Sequence, residues 1–326
     1  MSLHRRHFNQ ALAALLGSAA GLARAQGGNL PRILVGFPAG GSIDTTARRL
    51  AEAWRGRMAE SVLVEQKVGA GGRLAVAALK DSAPDGLTML LSPSSMFTIY
   101  PHVFRKLQYN AATDAIPVTA VALSTCGFGV GPKVPDSVKN LQQFAAWAKA
   151  NVKDSAYASP AAGAMPHFLG NQFERAAGIS MTHVPYRGAA PGMQDLMGGQ
   201  IAAGCFSLSD FVPHLASGRV RLLGVTDTKR SRFAPDTPTF EEQGFKGIVG
   251  VESYGLYLPA RTSAALVDRL YDLARVALRE KAVTEGLAKL GFEAVGNSPA
   301  VFSRELQLER EGWVPVVKAS GFSSDD

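Results

Sequence analysis

The chain has 326 residues, of which 46% are hydrophobic and 19% charged, and it carries a formal net charge of +7 at pH 7. Its basic residues are dispersed and do not alternate with aromatic side chains, which argues against a nucleic-acid-binding protein. A chain of this length exceeds what one hydrophobic core covers efficiently, so we expect two domains.

Residues 1–25 are typical of a cleaved secretory signal peptide. A basic stretch at 4–7 precedes a moderately apolar run, and residues 23–25 have the small-x-small form of a cleavage site. The paired arginines at 5 and 6 partly match a twin-arginine signal, so the general secretory and twin-arginine routes both stay open. Cleavage after Ala25 lowers the net charge to +4. No later apolar run reaches the roughly 20 residues that cross a bilayer, so we expect a soluble exported protein.

The first predicted unit of the mature chain is a strand, a glycine-rich turn and an amphipathic helix. The stretch ILVGFPAGGSID at 33–44 gives the strand and the turn, and Ala47, Leu50 and Trp54 then recur at helical spacing. The first turn of a helix has unpaired amides and the positive end of the helix dipole, which attract a carboxylate or a phosphate. We therefore expect the amides at 40–42 to be unpaired and to face a ligand. The alternative is a tight turn that binds nothing.

The following elements alternate between strands and helices, which indicates parallel sheets. The apolar stretch at 115–132 is longer than an ordinary strand needs and is predicted to cross into a second α/β domain, and a strand at 219–227 is predicted to return. Residues 262–326 are chiefly helical, and we expect them to cover the first domain. We assign the chain to a signal peptide at 1–25, the first part of lobe 1 at 26–124, lobe 2 at 125–224, and the second part of lobe 1 with the C-terminal helices at 225–326.

Several segments, in their order and spacing, resemble the substrate-binding proteins of tripartite tricarboxylate transporters, the Bug family of bacterial periplasmic receptors. The matching segments are GFPAGGSIDTTAR, VEQKVGAGG, APDGLTML, THVPYRGAAPGMQDLMGGQI, SGRVRLLGVTD, PDTPTFEEQG, YGLYLPA and SPAVFSRELQLEREGW. The resemblance implies an α/β, two-lobed periplasmic-binding-protein fold (type II), in which each lobe is a mainly parallel sheet flanked by helices and two strands form the hinge.

The resemblance also implies a function. A periplasmic receptor of this family captures a small organic carboxylate between its lobes and presents it to membrane transporter subunits or to a sensor. We expect neither catalysis nor a cofactor or metal, and we expect a monomer that does not bind nucleic acid.

The ligand-binding positions of the family can be carried over to this sequence. In lobe 1 they are Phe37, Ala39, Gly40, Gly41, Ser42, Asp44, Ser92, Ser94 and Ser95, with Tyr254 as a cover. In lobe 2 they are Ala162, Gly163, His167, Arg187, Gly188, Ser207 and Asp210. The chain departs from the family at residues 161–163, where Gly-Asn-Gly is common, and has Asp210 where Ser is usual and Tyr254 where Trp is frequent. These departures concern the identity of the ligand rather than the fold.

Four of these residues also have a structural interpretation. Asp44 stabilises a helix start with or without a ligand. Asp210 is predicted to be a helix N-cap; if it faces the cleft instead, it would repel a second carboxylate and favour an amine or a hydroxyl. Arg187 is either a bidentate partner of a ligand carboxylate or a surface residue. His167 either hydrogen-bonds the ligand or caps and packs its helix.

Two other functions are compatible with an exported α/β chain. An exported Ser-dependent hydrolase of small esters would use His167 or His183 with an Asp, but the chain has no G-x-S-x-G motif. A structural or adhesive surface protein would have no ligand cleft. Cys126 and Cys205 are expected on neighbouring strands, either as a disulfide or as two buried thiols.

Overall fold

The computed structural model describes residues 30–324, so the signal peptide and its cleavage site lie outside the described residues. The strands of this part are β1 Arg32–Val35, β2 Leu63–Gln66, β3 Thr88–Pro93, β4 Ala115–Val130, β5 Ala156–Ser159, β6 Thr182–Pro185, β7 Ala203–Ser207, β8 Arg221–Val225, β9 Val251–Pro259 and β10 Glu293–Ala294.

The helices of the same part lie between and after these strands. They are α1 Ser42–Ala53, α2 Arg73–Lys80, α3 Ser95–Thr98, α4 Tyr100–Val103, α5 Leu141–Ala150, α6 Met165–Ala177, α7 Ala189–Met197, α8 Leu208–Leu215, α9 Ala264–Ala277, α10 Lys281–Ala288 and α11 Pro299–Ser320, with a 3₁₀ turn at Ala70–Gly72. Within residues 30–324, none of these helices is both long and apolar enough to cross a bilayer.

The strands form two parallel groups joined by antiparallel pairs. The order is β2-β1-β3-β9-β4-β7-β5-β6, and β8 and β10 also pair with β4. Strand β1 is parallel to β2 and β3, and β5 is parallel to β6 and β7. We call β1, β2, β3, β9, β10 and the first part of β4 lobe 1, and β5 to β8 with the last part of β4 lobe 2. The predicted two-lobed α/β fold is confirmed.

Strand β4 serves both lobes. Its residues 115–125 pair with β9 in lobe 1, and its residues 126–130 pair with β7 and β8 in lobe 2. One long apolar strand therefore crosses between the lobes, as its length led us to expect. Strand β8 runs antiparallel to β4 and carries the chain back to the crossing.

Between β8 and β9 the chain still contacts lobe 2. Thr239 pairs with Val225, and the side chain of Gln243 accepts from the amide of Leu141 at 2.8 Å and donates to the carbonyl of Leu223 at 2.8 Å. Strand β9 then enters lobe 1. The division at residues 125 and 225 stays a prediction.

Thr226 holds the crossing together. Its amide donates to the carbonyl of Cys126 at 2.9 Å, and the amide of Gly250 donates to the carbonyl of Thr226 at 2.7 Å. The Thr226 hydroxyl donates to the carbonyl of Gly250 at 2.8 Å and accepts from the amide of Cys126 at 3.2 Å. Since Thr226 is fully buried, these bonds join three chain segments at one point without competition from water.

The cores of the two lobes are largely formed as the sequence pattern predicts. Ala47, Leu50 and Trp54 of the first amphipathic stretch are at most 1% exposed and pack in lobe 1 with Ile33 and Val35. Helices α9 and α10 cover the same core.

The last helix, α11, contacts lobe 2 as well as lobe 1. In lobe 1, Arg310 Nε donates to the carbonyl of Phe97 at 2.9 Å. In lobe 2, the Arg175 guanidinium of α6 donates to the carbonyl of Ala319, and Trp313 packs against Phe168. The helix spans both lobes because its 22 residues carry it beyond the edge of lobe 1.

The two cysteines lie on neighbouring strands with free, fully buried thiols. Cys205 of β7 is paired with Phe128 of β4, so Cys126 lies two positions away on the same face of the sheet. Burial raises the pKa of both thiols, which keeps them protonated and apolar in character.

Replacing Thr226 by Val tests the crossing. The Thr226→Val change keeps the shape of the side chain but leaves the buried amide of Cys126 and carbonyl of Gly250 with poorer partners, which should lower the free energy of unfolding by about 1–3 kcal/mol. Urea denaturation followed by circular dichroism measures this loss. The matched control is Thr228→Val at an exposed position, which we expect to change stability by less than about 0.5 kcal/mol. Equal effects of the two changes would contradict the role of Thr226.

Candidate functional site

A cavity lies between the two lobes. It is bounded by the carboxyl ends of strands from both lobes, which is where ligands bind in open α/β sheets. The lining residues are Phe37, Pro38, Gly41, Ser42, Ile43, Pro93, Ser95, Met96, Pro160, Ala164, Pro166, Gly188, Ala189, Ala190, Ser207, Asp210, Glu252 and Tyr254. We call this the inner cavity.

Four helices begin at the inner cavity. Helices α1, α6, α7 and α8 follow strands β1, β5, β6 and β7 respectively, so the strand-to-helix connections bring all four N-termini to one place. The residues that line the cavity include Ser42 of α1, Pro166 of α6, Ala189 of α7 and the α8 N-cap Ser207. First-turn amides have no partner within their own helix and carry the positive end of the dipole. The backbone around this cavity therefore favours an anionic group.

The lobes touch each other around the cavity. The amide of Met165 in lobe 2 donates to Ser95 Oγ in lobe 1 at 3.3 Å, and Ser207 Oγ lies 2.7 Å from Tyr254 Oη. Gly188 has φ +101°, and a Cβ added there would lie 2.9 Å from Cδ of Pro38. A glycine is therefore required at this contact both for its backbone conformation and for the approach of the lobes.

Asp210 is the third residue of α8, and Ser207 is the N-cap. The prediction that Asp210 is the N-cap is therefore wrong: its carboxylate reaches back to the amide of Ser207, which is the reciprocal half of a capping box. The same carboxylate faces the amide and the hydroxyl of Ser42 at the start of α1. Burial raises the pKa of Asp210 to about 6, although the hydrogen bonds from Ser42 and Ser207 act in the opposite direction.

The amides at the start of α1 are consequently not free. The Gly40 amide donates to Asp44 Oδ2 at 3.1 Å, and the Ser42 amide faces Asp210. The expectation of unpaired amides throughout residues 40–42 is wrong for these two positions, because the chain supplies its own carboxylates. Gly41 lies between them and lines the inner cavity.

A second carboxylate, Glu252 of β9, also lines the inner cavity and is 3% exposed. Its Oε1 accepts from the amide of Ser95 at 3.0 Å and from the Ser95 hydroxyl. Burial raises the pKa of Glu252, while these hydrogen bonds lower it. Glu252 is not among the predicted site residues, although a lone carboxylate in the apolar stretch VESYGLYLP was a usable signal.

Glu309 of α11 lies behind Glu252. Its Oε1 accepts from Ser94 Oγ at 2.9 Å and from Thr98 Oγ1 at 3.0 Å. Burial and the negative charge of Glu252 raise the pKa of Glu309 to about 8. Glu309 is therefore largely protonated at neutral pH.

A larger and more open cleft of about 1140 Å³ adjoins the inner cavity, and Phe37 and Gly188 line both. We call it the outer cleft. Arg73 and Arg187 line it. The Arg73 guanidinium lies 4.0 Å from the centre of the Phe104 ring, and Arg187 is exposed and has no hydrogen bond or ion pair within residues 30–324. The outer cleft is thus cationic, whereas the charged side chains of the inner cavity are acidic.

The structure brings about half of the predicted site residues together. The inner cavity is lined by Phe37, Gly41, Ser42, Ser95, Gly188, Ser207, Asp210 and Tyr254. The outer cleft is lined by Ala162 and Arg187, besides Phe37 and Gly188. Neither is lined by Ala39, Gly40, Asp44, Ser92, Ser94, Gly163 or His167. Among the lining residues that the sequence analysis did not select are Ile43, Met96, Ala189, Ala190 and Glu252.

Asp44 has a structural role, because its carboxylate is hydrogen-bonded to the residues that surround it. Besides the Gly40 amide, it accepts from Arg48 Nε at 2.9 Å and from Gln66 Nε2 at 2.5 Å. Burial raises the pKa of Asp44, but these hydrogen bonds outweigh it and hold the pKa below its ordinary value. Asp44 therefore stabilises the start of α1 as an anion.

His167 is also held by the protein itself. Its Nδ1 accepts from the amide of Gly163 at 3.1 Å, and its ring stacks on that of His183 at a centroid distance of 3.8 Å. Burial lowers the pKa of His167 to about 4 and that of His183 to about 3, so both rings are neutral at pH 7. His183 Nε2 lies 2.7 Å from Ser159 Oγ. Ser159 is fully buried and lines neither cavity, so this Ser–His pair offers no support for a hydrolase.

Comparisons with known proteins agree on one family. A family profile described as "Tripartite tricarboxylate transporter family receptor" matches residues 46–322. Protein BugT of Bordetella pertussis is 30% identical to this chain over 291 residues, which cover 89% of each protein. The solved structure of Rpa4515 of R. palustris with adipate is 26% identical and has a TM-score of 0.86, covering 91% of this chain and 99% of that one. MatC from Rhodopseudomonas palustris with bound malate is 27% identical and has a TM-score of 0.82, covering 88% and 98%.

The Glu252–Glu309 pair predicts a pH-dependent stability. Because the pKa of Glu309 is raised from 4.5 to about 8 on folding, the folded state binds more protons than the unfolded state in this range. The contribution of Glu309 to stability should therefore fall as the pH rises from about 4.5 to 8. Glu309→Gln removes this loss, so the melting temperature of the variant minus that of the wild type should be smallest at pH 5 and largest at pH 9. Thermal melting at pH 5, 7 and 9 measures it.

The control is Glu311→Gln, an exposed carboxylate on the same helix. Its melting temperature should follow that of the wild type at all three pH values. A difference between Glu309→Gln and the wild type that does not change with pH would contradict the assigned pKa.

Proposed function

This chain belongs to the tripartite tricarboxylate transporter receptors, the Bug family of periplasmic binding proteins, and from that membership we propose that it captures a small organic carboxylate between its lobes. The captured solute is presented to membrane transporter subunits or to a sensor. The receptor acts in the periplasm, after export by the general secretory or twin-arginine route and cleavage after Ala25, and works as a monomer. It binds without catalysis and uses no cofactor.

The convergence of four helix N-termini on the inner cavity carries this proposal. A ligand carboxylate gains from the dipoles of these helices and from the backbone amides that the protein's own side chains leave free, in a site that water enters poorly. Gly41 of lobe 1 and Ala189 and Ala190 of lobe 2 line the cavity and offer this backbone. The relatives solved with adipate and malate support a carboxylate as the ligand.

The mechanism is closure of the lobes around the ligand. Only when the lobes meet are the N-termini of α1 and α7 both beside the cavity, so the ligand stabilises the closed arrangement over an open one. The strands that cross at Thr226 are the positions about which the lobes turn. Tyr254 closes one side of the cavity through its hydrogen bond with Ser207. Phe37 separates the inner cavity from the outer cleft.

The residues that we propose to contact the ligand are those predicted residues that line the inner cavity. The other predicted residues line neither cavity, so they act on the ligand only through the residues that they contact. They are Ala39, Gly40, Asp44, Ser92, Ser94, Gly163 and His167. Arg187 and Ala162 meet the solute in the outer cleft before it reaches the inner cavity.

Gly41→Val tests the site. Gly41 has an ordinary backbone conformation and a Cβ added there would meet only the carbonyl of Pro38, at 3.7 Å, so the fold should tolerate Val. Its branched side chain would project into the inner cavity and take space that the ligand needs, and we expect affinity to fall at least about tenfold, which corresponds to about 1.4 kcal/mol. Isothermal titration calorimetry with ligands found by a melting-shift screen of mono-, di- and tricarboxylates, aromatic acids and amino acids measures it.

Gly312→Val is the matched control, because Gly312 is exposed on α11 and an added Cβ would meet no atom within 4 Å. This variant should bind like the wild type. Unchanged affinity of Gly41→Val would exclude the start of α1 from the ligand-binding surface. The absence of binding by any acid in the screen would count against the receptor function itself.

A further inference from the structure

The charges around the inner cavity are unusual for a site that receives an anion. Of the residues lining it in the described part of the chain, Asp210 and Glu252 carry charged groups, and both are acids; no Lys or Arg lines it. The two carboxylates come from different lobes, Asp210 from α8 and Glu252 from β9. Closure therefore brings two acidic side chains to one small cavity.

The Asp210 carboxylate occupies the position at the start of α1 where the sequence predicts the ligand carboxylate. It faces the amide and hydroxyl of Ser42, the first residue of α1. A ligand carboxylate at that position would meet a like charge inside a cavity that screens charges poorly. Since Asp210 lines the cavity and is not completely buried, it presents part of its carboxylate to whatever occupies the cavity.

Glu252 adds to the same effect from the opposite lobe. One of its oxygens is bound by the amide and the hydroxyl of Ser95. The nearby Glu309 is largely protonated at neutral pH, so it adds little negative charge of its own beside Glu252. A dicarboxylate would place two further negative charges beside Asp210 and Glu252.

A site for an anion remains on the other side of the cavity. Ala189 and Ala190 belong to the first turn of α7, which has nine residues, and both line the cavity with no acidic side chain among their immediate neighbours in the sequence. The next residues toward the outer cleft are Gly188 and the cationic Arg187. The cavity is thus acidic at α8 and β9 and favours an anion at α7.

We propose that the ligand carries a protonated amine together with its carboxylate, as amino acids do, and that Asp210, aided by Glu252, selects the amine. This inference rests on the proposed function and narrows its ligand class. The ammonium group lies between Asp210 and Glu252 and donates to their carboxylates, while the ligand carboxylate lies at the first turn of α7. Charge-assisted hydrogen bonds at both ends then fix the orientation of the ligand.

Pairs of acids that differ only by the amine test this proposal. Calorimetry would compare L-aspartate with succinate, L-glutamate with glutarate, L-leucine with 4-methylpentanoate and L-phenylalanine with 3-phenylpropionate. For the wild type we expect at least one amine-bearing member to bind at least tenfold more tightly than its partner. Asp210→Asn keeps the shape of the side chain, and Asp210→Ser shortens it; both should weaken the amine-bearing member at least tenfold and reduce its advantage. The control Asp236→Asn, at an exposed position, should keep wild-type selectivity.

The outcomes separate the two proposals. The amine assignment would be overturned if the amine-free acids bind the wild type as well as or better than their amine-bearing partners. It would also be overturned if both Asp210 variants keep the wild-type selectivity. In both cases the receptor function stands. Malate binding more tightly than aspartate would overturn it as well, since a hydroxyl would then be preferred. If no member of any pair and no acid of the wider screen binds, the receptor function fails and this inference fails with it.

Discussion

Helix N-termini buried between two lobes impose one constraint on this structure: their amides must find partners, because a buried N–H without one is costly. The chain meets this constraint largely with its own carboxylates. Asp44 accepts from Gly40, Asp210 faces Ser42, and Glu252 accepts from the amide of Ser95. The contact between Asp210 and Ser42 joins the two lobes, so the closed arrangement is stabilised in part by a carboxylate, the same chemical group as in the solutes that the family binds. A ligand competes with these internal partners or uses the amides that they leave, at Gly41 and at the start of α7.

The same contacts connect recognition to the movement of the lobes. Ser207 with Tyr254, and Met165 with Ser95, join residues of different lobes at the rim of the inner cavity. Opening the cleft breaks these bonds, whereas the backbone bonds at Thr226 lie at the crossing and need not break. Helix α11 contacts both lobes on another face, so it also limits how far they separate. The energy of closure is therefore distributed among residues that touch the ligand and residues that never do.

The sequence allowed the element order, the parallel sheets, the crossing strand and the buried stripe of α1 to be predicted, because each depends on periodicity within a short segment. The acidic character of the inner cavity could not be predicted in this way. Glu252 reaches the cavity because β9 inserts between β3 and β4, a pairing between segments far apart in the chain. For Asp210, the local pattern was compatible with an N-cap and with a cleft residue; the packing of α8 against the start of α1 decided between them.

The charge pattern along the path of the solute is the last consequence of this packing. Arg73 and Arg187 line the outer cleft, while Asp210 and Glu252 line the inner cavity. A simple dicarboxylate is attracted by the arginines of the outer cleft but repelled by the acids of the inner cavity. Both of its ends therefore favour the same region, and the charges do not orient it. A molecule with opposite charges at its ends is oriented by this gradient: its cationic end is drawn inward to the acids and its anionic end stays toward Gly188 and Arg187. Gly188 lines both the inner cavity and the outer cleft, so the first turn of α7 lies at the boundary between them. This is the position that we propose for the anionic end of such a solute.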